Sequence, residues 1–492
     1  MDLLVGDVFR VGARSVPGRI AAALGDRRIT YADLDRLANQ HAHVLTEMGV
    51  GHGDRAVLWS YTSFDAVPVF AAVAKIGATF APANALLGVD EATEMIGLAR
   101  PSVLVVDGAH RESGTELASR LGIPMLELAH IVDESTPTTD VRCEALRETD
   151  THVLFFTSGS TGRSKGVMLS HRVNYLRTHP GGQIEPRGAT VCMYPLFHMG
   201  AWTLALQAWQ TQTTVVLVPQ ADGHLICEAV EQWKATHLNA IPSVWRRIID
   251  HLATEEGAQH DLSSLRLVDS GTSATPLDLL ESIAAAAPNA TRRVFYGSTE
   301  CGAVTLLRDE DMARKPGACG VPQHSCEVSS DPATGELLVR GPLLFDGYFD
   351  DPAATAAAFT SDGWFRTGDV AAVDDEGYIS IVGRVKDVIR TGGESVAPSE
   401  VEAALADHPS LADIAVVGIP DPQWGEVVCA AIVVANGAAA PTLDELVAHC
   451  QTRLAKYKRP RRVEVVDVVP RTPATNQVQR RLLIEHISSR SA

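Results

Sequence analysis

A chain of 492 residues exceeds what one ordinary hydrophobic core organises and points to at least two domains. Its apolar content of 46% with 5% aromatics is that of a folded, soluble protein and excludes collagen-like and disordered classes. With 60 acidic against 42 basic residues, a net charge of −18, the chain lacks the basic field that broad nucleic-acid binding requires, although a local basic groove for phosphates stays compatible with it.

The first stretch, Met1 to Val16, carries Asp2 and Asp7 and no basic head before an apolar run, so no signal peptide is expected. Arg28 to Tyr31 reads as a strand. Leu34, Leu37, Ala38, Ala42, Leu45 and Met48 then recur at helical spacing, and Gly49 is placed to stop that helix. A strand over Asp54–Trp59, a helix over Phe64–Lys75 and a strand over Pro101–Val106 follow. The most apolar region, Ala66 to Ala81, is interrupted by Pro68, Lys75 and Gly77 and falls short of the ~20 apolar residues of a membrane span, so no integral membrane association is expected. Strand and helix alternate again over Thr211–Val218 and Gly223–Trp233, and Leu265–Asp269 precedes a close-packed turn at Gly271. Such alternation predicts an α/β fold with a largely parallel sheet.

The composition changes around Gly383–Pro398. Beyond it come a helix over Ser399–Leu405, strands around Ala412–Val417 and Val427–Val434, and a helix over Thr442–Leu454. These read as a small, separate α+β domain. A basic run, Lys456, Lys458, Arg459, Arg461 and Arg462, is either a solvated face ahead of a strand or a patch facing phosphates. The eight cysteines are scattered without a Cys-x-x-Cys pair, which favours neither a zinc nor a disulfide framework and leaves the reducing cytoplasm as the default location.

The strongest local feature is Phe155-Phe-Thr-Ser-Gly-Ser-Thr-Gly-Arg-Ser-Lys-Gly166, continuing to His171. An apolar strand runs into glycines and hydroxyls. Glycines permit close backbone approach, and exposed N–H groups and hydroxyls can surround phosphate oxygens, with Lys165 adding a positive charge. The order differs from the usual P-loop, because Ser164 precedes Lys165 and Gly166 follows it. From the residues alone, a surface loop remains the alternative to a phosphate site. Taken singly, Glu300, Asp369, His198 and Arg384 read first as structural or surface residues, with a chemical role as the alternative.

The segment resembles the signature phosphate-binding loop of the adenylate-forming superfamily, which comprises acyl-CoA synthetases, luciferases and peptide-synthetase adenylation domains. The resemblance continues, in the family's order, through Tyr296-Gly-Ser-Thr-Glu300, Gly363-Trp-Phe-Arg-Thr-Gly-Asp369 and Gly383-Arg-Val-Lys-Asp-Val-Ile-Arg-Thr-Gly-Gly-Glu394, and so spans nearly the whole chain. It is closest in character to the fatty-acid–CoA ligases. It implies a large N-terminal acid- and ATP-binding domain of mostly parallel sheets flanked by helices (1–384), and a small mobile C-terminal α+β domain (385–492). It implies ATP, Mg²⁺, coenzyme A and a carboxylic acid as cofactors and substrates. A homodimer is kept open as the oligomeric state.

Carried over residue by residue, the resemblance assigns Thr157, Ser158, Gly159, Ser160, Thr161, Gly162 and Lys165 to ATP phosphates. Tyr296 falls beside adenine, Gly297 in the same ATP/AMP site, Thr299 beside phosphate, Glu300 on the metal, Asp369 on ribose, and Arg384 on ribose or phosphate. It places His198 between the phosphate and acyl sites, where it orients the carboxylate; a carboxylate carries its own nucleophilic oxygen and needs no general base. Trp202, Trp245, Ser270, Gly271 and Gly297 are acyl-pocket candidates by motif proximity, the two tryptophans being equally readable as core. Lys386 matches the hinge, and Gly392, Gly393 and Glu394 match the loop that forms the pantetheine passage. The last motif departs from the family. Anchoring on Val478-Gln-Arg-Arg481 puts Gln477 where the catalytic lysine is usual, with Asn476 for the common glycine and an insertion near Pro473 or Ala474. No lysine lies between Pro470 and Ala492, so a slip of one position changes nothing. Either a natural loss or a deliberate Lys→Gln change accounts for it. The implied function is an acyl-CoA synthetase weakened in adenylation. Transfer to a carrier protein, or a catalytically weak acyl- or nucleotide-binding regulator, are the competing readings.

Overall fold

A computed structural model describes residues 2–157, 164–179, 188–472 and 477–489. The chain divides into two compact units, Met1–Glu327 with Arg340–Phe365, and Val328–Val339 with Arg366–Ala492. The α/β class expected from the alternation of elements is what the first unit shows.

That unit contains two large sheets. In the seven-stranded sheet, Thr79–Ala83, Arg55–Trp59, Val103–Val106 and Met125–Glu127 run parallel. At its other side, Thr151–Thr157 and Lys165–Ser170 form an antiparallel pair, extended by Gly347–Tyr348. The nine-stranded sheet is parallel through Thr190–Cys192, His237–Ala240, Leu267–Gly271 and Thr291–Ser298, then turns antiparallel at Gly302–Arg308. Strands buried on both faces read as continuous apolar runs, which is why Val103–Val106 is legible without alternation. An aromatic core ties these layers: Phe70 of the Ala66–Ile76 helix stacks on Trp202 at 4.3 Å, and Phe80 meets Trp202 edge-on. Trp209 donates its indole N–H to the Ala21 carbonyl at 3.0 Å, as a buried indole must find an acceptor.

The second unit opens on an antiparallel pair, Phe365–Val373 with Ile379–Arg384. Arg366 binds Asp331 and Glu336, drawing the 328–339 segment into the same unit. The compact division therefore falls before the 384/385 boundary that the resemblance implies. Next, Leu411–Asp421 and Gly425–Val434 form a long antiparallel ladder, flanked by Ile389–Thr391 on one side and joined in parallel by Arg462–Val465. Helices Pro398–Leu405 and Leu443–Cys450 cover one face through Val401, Leu405 and Leu446. Helix Arg480–Ser489 covers the other through Leu483 and Ile487. All eight cysteines are free. No helix among the described residues is long and apolar enough to cross a membrane.

Candidate active site

Lys165 opens a strand and pairs directly across from Thr157. Ser158, Gly159, Ser160, Thr161 and Gly162 lie outside the described residues. The Lys165 ammonium stands over the Tyr348 ring, 4.4 Å from its centroid, a cation–π contact. The Tyr348 hydroxyl donates to Glu300 Oε1 at 3.2 Å, and Ser298 Oγ donates to Oε2 at 3.1 Å. Burial and the Glu300 charge both raise the Tyr348 pKa, so the phenol remains a donor. Among the described residues no cation pairs with the Glu300 carboxylate. It is half-buried and held by neutral donors, and its oxygens suit a hard divalent ion such as Mg²⁺.

The turn that carries Glu300 is clamped from behind. Arg177, on the His171–Thr178 helix, donates to the carbonyls of Thr299 at 2.8 Å, Glu300 at 2.7 Å and Leu343 at 2.7 Å. Burial lowers its pKa to about 10, against the pull of Cys301, Glu300 and Asp346, and leaves it charged at neutral pH. Glycine is required at Gly297, where a Cβ would stand 2.1 Å from the Gly302 carbonyl oxygen. Tyr296 lies on the same Thr291–Ser298 strand, paired with Thr305, and is half-buried.

His198 caps the Met199–Gln210 helix, with Nδ1 accepting the Gly200 N–H at 3.0 Å. Its ring stacks on Tyr194, whose hydroxyl is fixed by Asn239 at 2.7 Å. Burial lowers the imidazole pKa to about 4, so it is neutral at physiological pH. Since Nδ1 accepts, the proton of the neutral ring sits on Nε2, which makes His198 a hydrogen-bond donor there and not a base.

The acyl-pocket candidates divide. Trp202 is committed to the aromatic core, and its N–H to the Leu196 carbonyl at 2.6 Å. Trp245 is fully buried and donates to the Asp269 carbonyl at 3.0 Å. Ser270 is buried and hydrogen-bonded to Thr275 at 2.8 Å. A Cβ on Gly271 would meet the Phe295 ring at 2.7 Å. These contacts explain each residue by packing.

In the second unit, Asp369 and Arg384 are cross-strand partners, with Arg384 Nε 2.7 Å from Asp369 Oδ1. The structure thus brings together Asp369, expected at ribose, and Arg384, expected at ribose or phosphate. Lys386 is exposed on the Val385–Asp387 turn. Gly392 and Gly393 are the two central residues of a tight hairpin, with φ of 60° and 85° and with Thr391 paired to Glu394. Their sign is the one a two-residue hairpin turn requires. Of the basic run, Lys458 is paired with Glu400, Arg462 with Glu464, and Arg461 lies on Trp424 at 3.7 Å. Gln477 is exposed, and its main chain exchanges bonds with Thr472. Asn476, Pro473 and Ala474 lie outside the described residues.

Arg177, Ser298 and Tyr348 were not singled out from the sequence. The Gly347-Tyr348 pair beside Asp346 was a local signal for Tyr348; Arg177 offered none, because its partners lie more than a hundred positions away.

The family model described as AMP-binding enzyme matches residues 9–349, and that described as AMP-binding enzyme C-terminal domain matches residues 400–475. The chain belongs to this adenylate-forming acyl-CoA synthetase family. It is an enzyme of the AMP-forming acid–CoA ligase type. It is 35% identical over 480 residues to a feruloyl-CoA synthase of Amycolatopsis sp, covering 94% of both chains. It is 31% identical over 487 residues to the long-chain-fatty-acid–CoA ligase FadD13 of Mycobacterium tuberculosis, again covering 94% of both. Among solved structures, it resembles O-succinylbenzoate coenzyme A synthetase from Bacillus subtilis in complex with ATP and magnesium ion, with TM-score 0.85, 26% identity, and coverage of 97% and 98% of the two chains.

Proposed function

We propose that the protein converts a fatty or related carboxylic acid to its CoA thioester through an acyl-adenylate, and that its first half-reaction is slow. The observation that carries the reading is the Lys165–Tyr348–Glu300 array on the turn held by Arg177. In the first step the acid's carboxylate oxygen attacks the α-phosphorus of ATP, and pyrophosphate leaves. Lys165 stabilises charge on the phosphates, His198 orients the carboxylate through Nε2–H, and Asp369 with Arg384 holds the ribose. Mg²⁺ at Glu300 supplies charge neutralisation on the phosphates when bound. In the second step the thiol of CoA displaces AMP, with Gly392, Gly393 and Glu394 at its passage and Lys386 as the hinge.

Gln477 supports the reading of a slow first step. It offers hydrogen bonds where the family places a full charge. Its basic neighbour Arg480 is spent on Glu402 at 2.6 Å and the Val416 carbonyl at 3.1 Å, so it does not substitute. The test is mass spectrometry of the protein with ATP, Mg²⁺, CoA and a panel of aliphatic and aryl acids, beside a parallel incubation with supplied acyl-adenylates and CoA. Acyl-CoA from acyl-adenylate, with slower release from free acid, is the expected result. Failure to form acyl-CoA from either source would overturn the proposal, and transfer only to a holo-carrier protein would redirect it.

A further inference from the structure

Away from the adenylation motifs, three histidines converge. His224 is the second residue of the Gly223–Trp233 helix, His251 lies near the end of the Pro242–Leu252 helix, and His260 follows the short turn Gly257–Gln259. Each presents a ring nitrogen, and the three nitrogens lie within 4.8 Å of one another. The ring centroids are 5.3, 5.5 and 5.4 Å apart, so the imidazoles surround a common point.

The backbone is shaped for this convergence. A Cβ on Gly223 would stand 2.4 Å from the Arg247 carbonyl oxygen and 2.9 Å from the His251 Cβ, so glycine lets the two helices meet at the cluster. A Cβ on Gly257 would stand 1.8 Å from the His251 carbonyl oxygen, and glycine there lets the following turn fold back onto the helix end. The His260 amide then bonds to the Gly257 carbonyl, which fixes the third ring.

The hydrogen bonding leaves nitrogen lone pairs over. His224 Nδ1 and His251 Nε2 are buried atoms without a hydrogen-bond partner. Two buried, unsatisfied ring nitrogens at one point are costly unless something binds them. His260 is different: Glu231 Oε2 holds its Nδ1 at 2.9 Å, which leaves Nε2 as the free nitrogen. A carboxylate fixing the far nitrogen of a histidine is the arrangement that orients imidazole toward a metal. Glu256 Oε1 stands 3.6 Å from His224 Nδ1 and brings a further carboxylate to the rim.

We infer that His224, His251 and His260 form a binding site for a divalent zinc-class cation, with Glu231 as the positioning residue and water or Glu256 completing the coordination. Three neutral imidazoles suit zinc, cobalt or nickel, not the hard, oxygen-seeking magnesium of the ATP chemistry. Tetrahedral Zn–N bonds of about 2.0–2.1 Å set the nitrogens roughly 3.3 Å apart, so small ring rotations close the present spacing. The cluster lies about 14 Å along the Pro242–Leu252 helix from its Pro242 end, at a rise of 1.5 Å per residue. The Pro242 end follows the strand whose Asn239 fixes Tyr194 beside His198. The cation would thus pin the two helices and the turn together, remote from the reacting atoms.

The test uses untagged, full-length protein, stripped by chelation and titrated with Co²⁺ in the absence of nucleotide. The expected result is one tightly bound Co²⁺ per chain with intense tetrahedral d–d absorption, displaced by Zn²⁺, and a rise in melting temperature with either metal. His224→Gln, at a part-exposed ring that folding tolerates, should abolish the spectrum and the thermal shift. Glu231→Gln should weaken affinity by about 10- to 100-fold. A parent protein without the tetrahedral spectrum, or a spectrum and thermal shift unchanged in both variants, would overturn the site.

Discussion

At Glu300 a single carboxylate is held by two hydroxyls, and this predicts the behaviour of its neighbour. Tyr348→Phe keeps the ring beneath Lys165 and removes only the donor to Oε1. One neutral hydrogen bond to a charged group is worth about 1.5–3 kcal/mol, so we expect a loss of roughly 10- to 150-fold in pyrophosphate–ATP exchange, partly recovered at high Mg²⁺. An unchanged rate at every Mg²⁺ concentration would separate Tyr348 from the metal site. His198 gives a second expectation. With its pKa lowered to about 4 by burial, it does not titrate across the neutral range. The rate ratio of the parent to His198→Asn should therefore stay constant between about pH 5.5 and 8; a step near the ordinary histidine value of about 6.5 would show a titrating ring. Residues of this kind were legible in the sequence when their motif carried them. Lys165 stands in a glycine- and hydroxyl-rich segment whose composition already signals phosphate chemistry, whereas Glu300 was legible only through the resemblance of its motif. Arg177 was not legible, since it holds three carbonyls that only the tertiary fold delivers.

Elements show where local pattern and tertiary demand part company. The Gly223–Trp233 helix has the bounds its periodicity predicts, and Asp222 caps it. The strand expected over Thr211–Val218 shrinks to Val215–Leu217. Its first threonines are taken by the preceding helix: Thr211 Oγ1 donates to Gln207 and Thr213 Oγ1 to Ala208, so β-branched residues that favour strand instead close a helix end. The helix expected over Thr442–Leu454 is Leu443–Cys450, because Thr442 and Glu445 form a capping box and the chain turns after Cys450. The glycine hairpin carries the next prediction. At Gly393 a Cβ meets open space, but φ is 85°, so Gly393→Leu costs about 1–2 kcal/mol of backbone strain. At Gly392 a Cβ also stands 2.8 Å from the Trp424 ring, so Gly392→Ala is the more damaging change despite its smaller side chain. Both should slow acyl-CoA release from supplied acyl-adenylate more than they slow pyrophosphate exchange; equal losses in the two assays would remove the hairpin from the second step. The seven-stranded sheet sets a pH dependence. His171 is fully buried beside His152, and burial holds its pKa at about 4 against 6.5 in the ordinary state. The unfolded chain takes up this proton first as pH falls. The stabilisation is therefore complete above 6.5 and is lost toward 4, by up to about 3 kcal/mol at 1.36 kcal/mol per unit. His171→Gln keeps an acceptor for the Val5 amide and should reduce the pH dependence of urea-measured stability across that window, with His152, whose pKa burial also lowers, keeping its own share.

Across the whole molecule, the proposed reading gives the two half-reactions different residues, and this makes the Gln477 proposal separable from a general loss of activity. Lys165, Glu300 and His198 belong to the first compact unit; Asp369, the glycine hairpin and Gln477 belong to the second. The order of the motifs made this division of labour readable in the sequence. The placement of the compact boundary was not readable, because Arg366 and the Phe365–Val373 strand bond to partners on both sides of them in the chain. Gln477 is hydrogen-bonded to Thr472 beside the Arg471–Val478 bridge, and Arg471 is paired with Asp413 at 2.7 Å. On the proposed reading, Gln477 stands at the lysine position and offers no charge. A charge-assisted contact made mainly in the transition state is worth about 2.7–4 kcal/mol, by analogy with an oxyanion donor, or roughly 10²–10³ in rate. Gln477→Lys should therefore raise acid-dependent pyrophosphate exchange by that factor. It should leave the conversion of acyl-adenylate and CoA to acyl-CoA within about twofold, since a change of a few tenths of a kcal/mol is all that a surface substitution usually brings. Because the side chain is exposed, the variant should fold as the parent does, and matched melting curves check this. A gain in both half-reactions would point to a stability effect. No gain in exchange would mean that another group supplies the charge, with Arg481, exposed and only loosely paired with Glu485 at 3.7 Å, the next residue to replace.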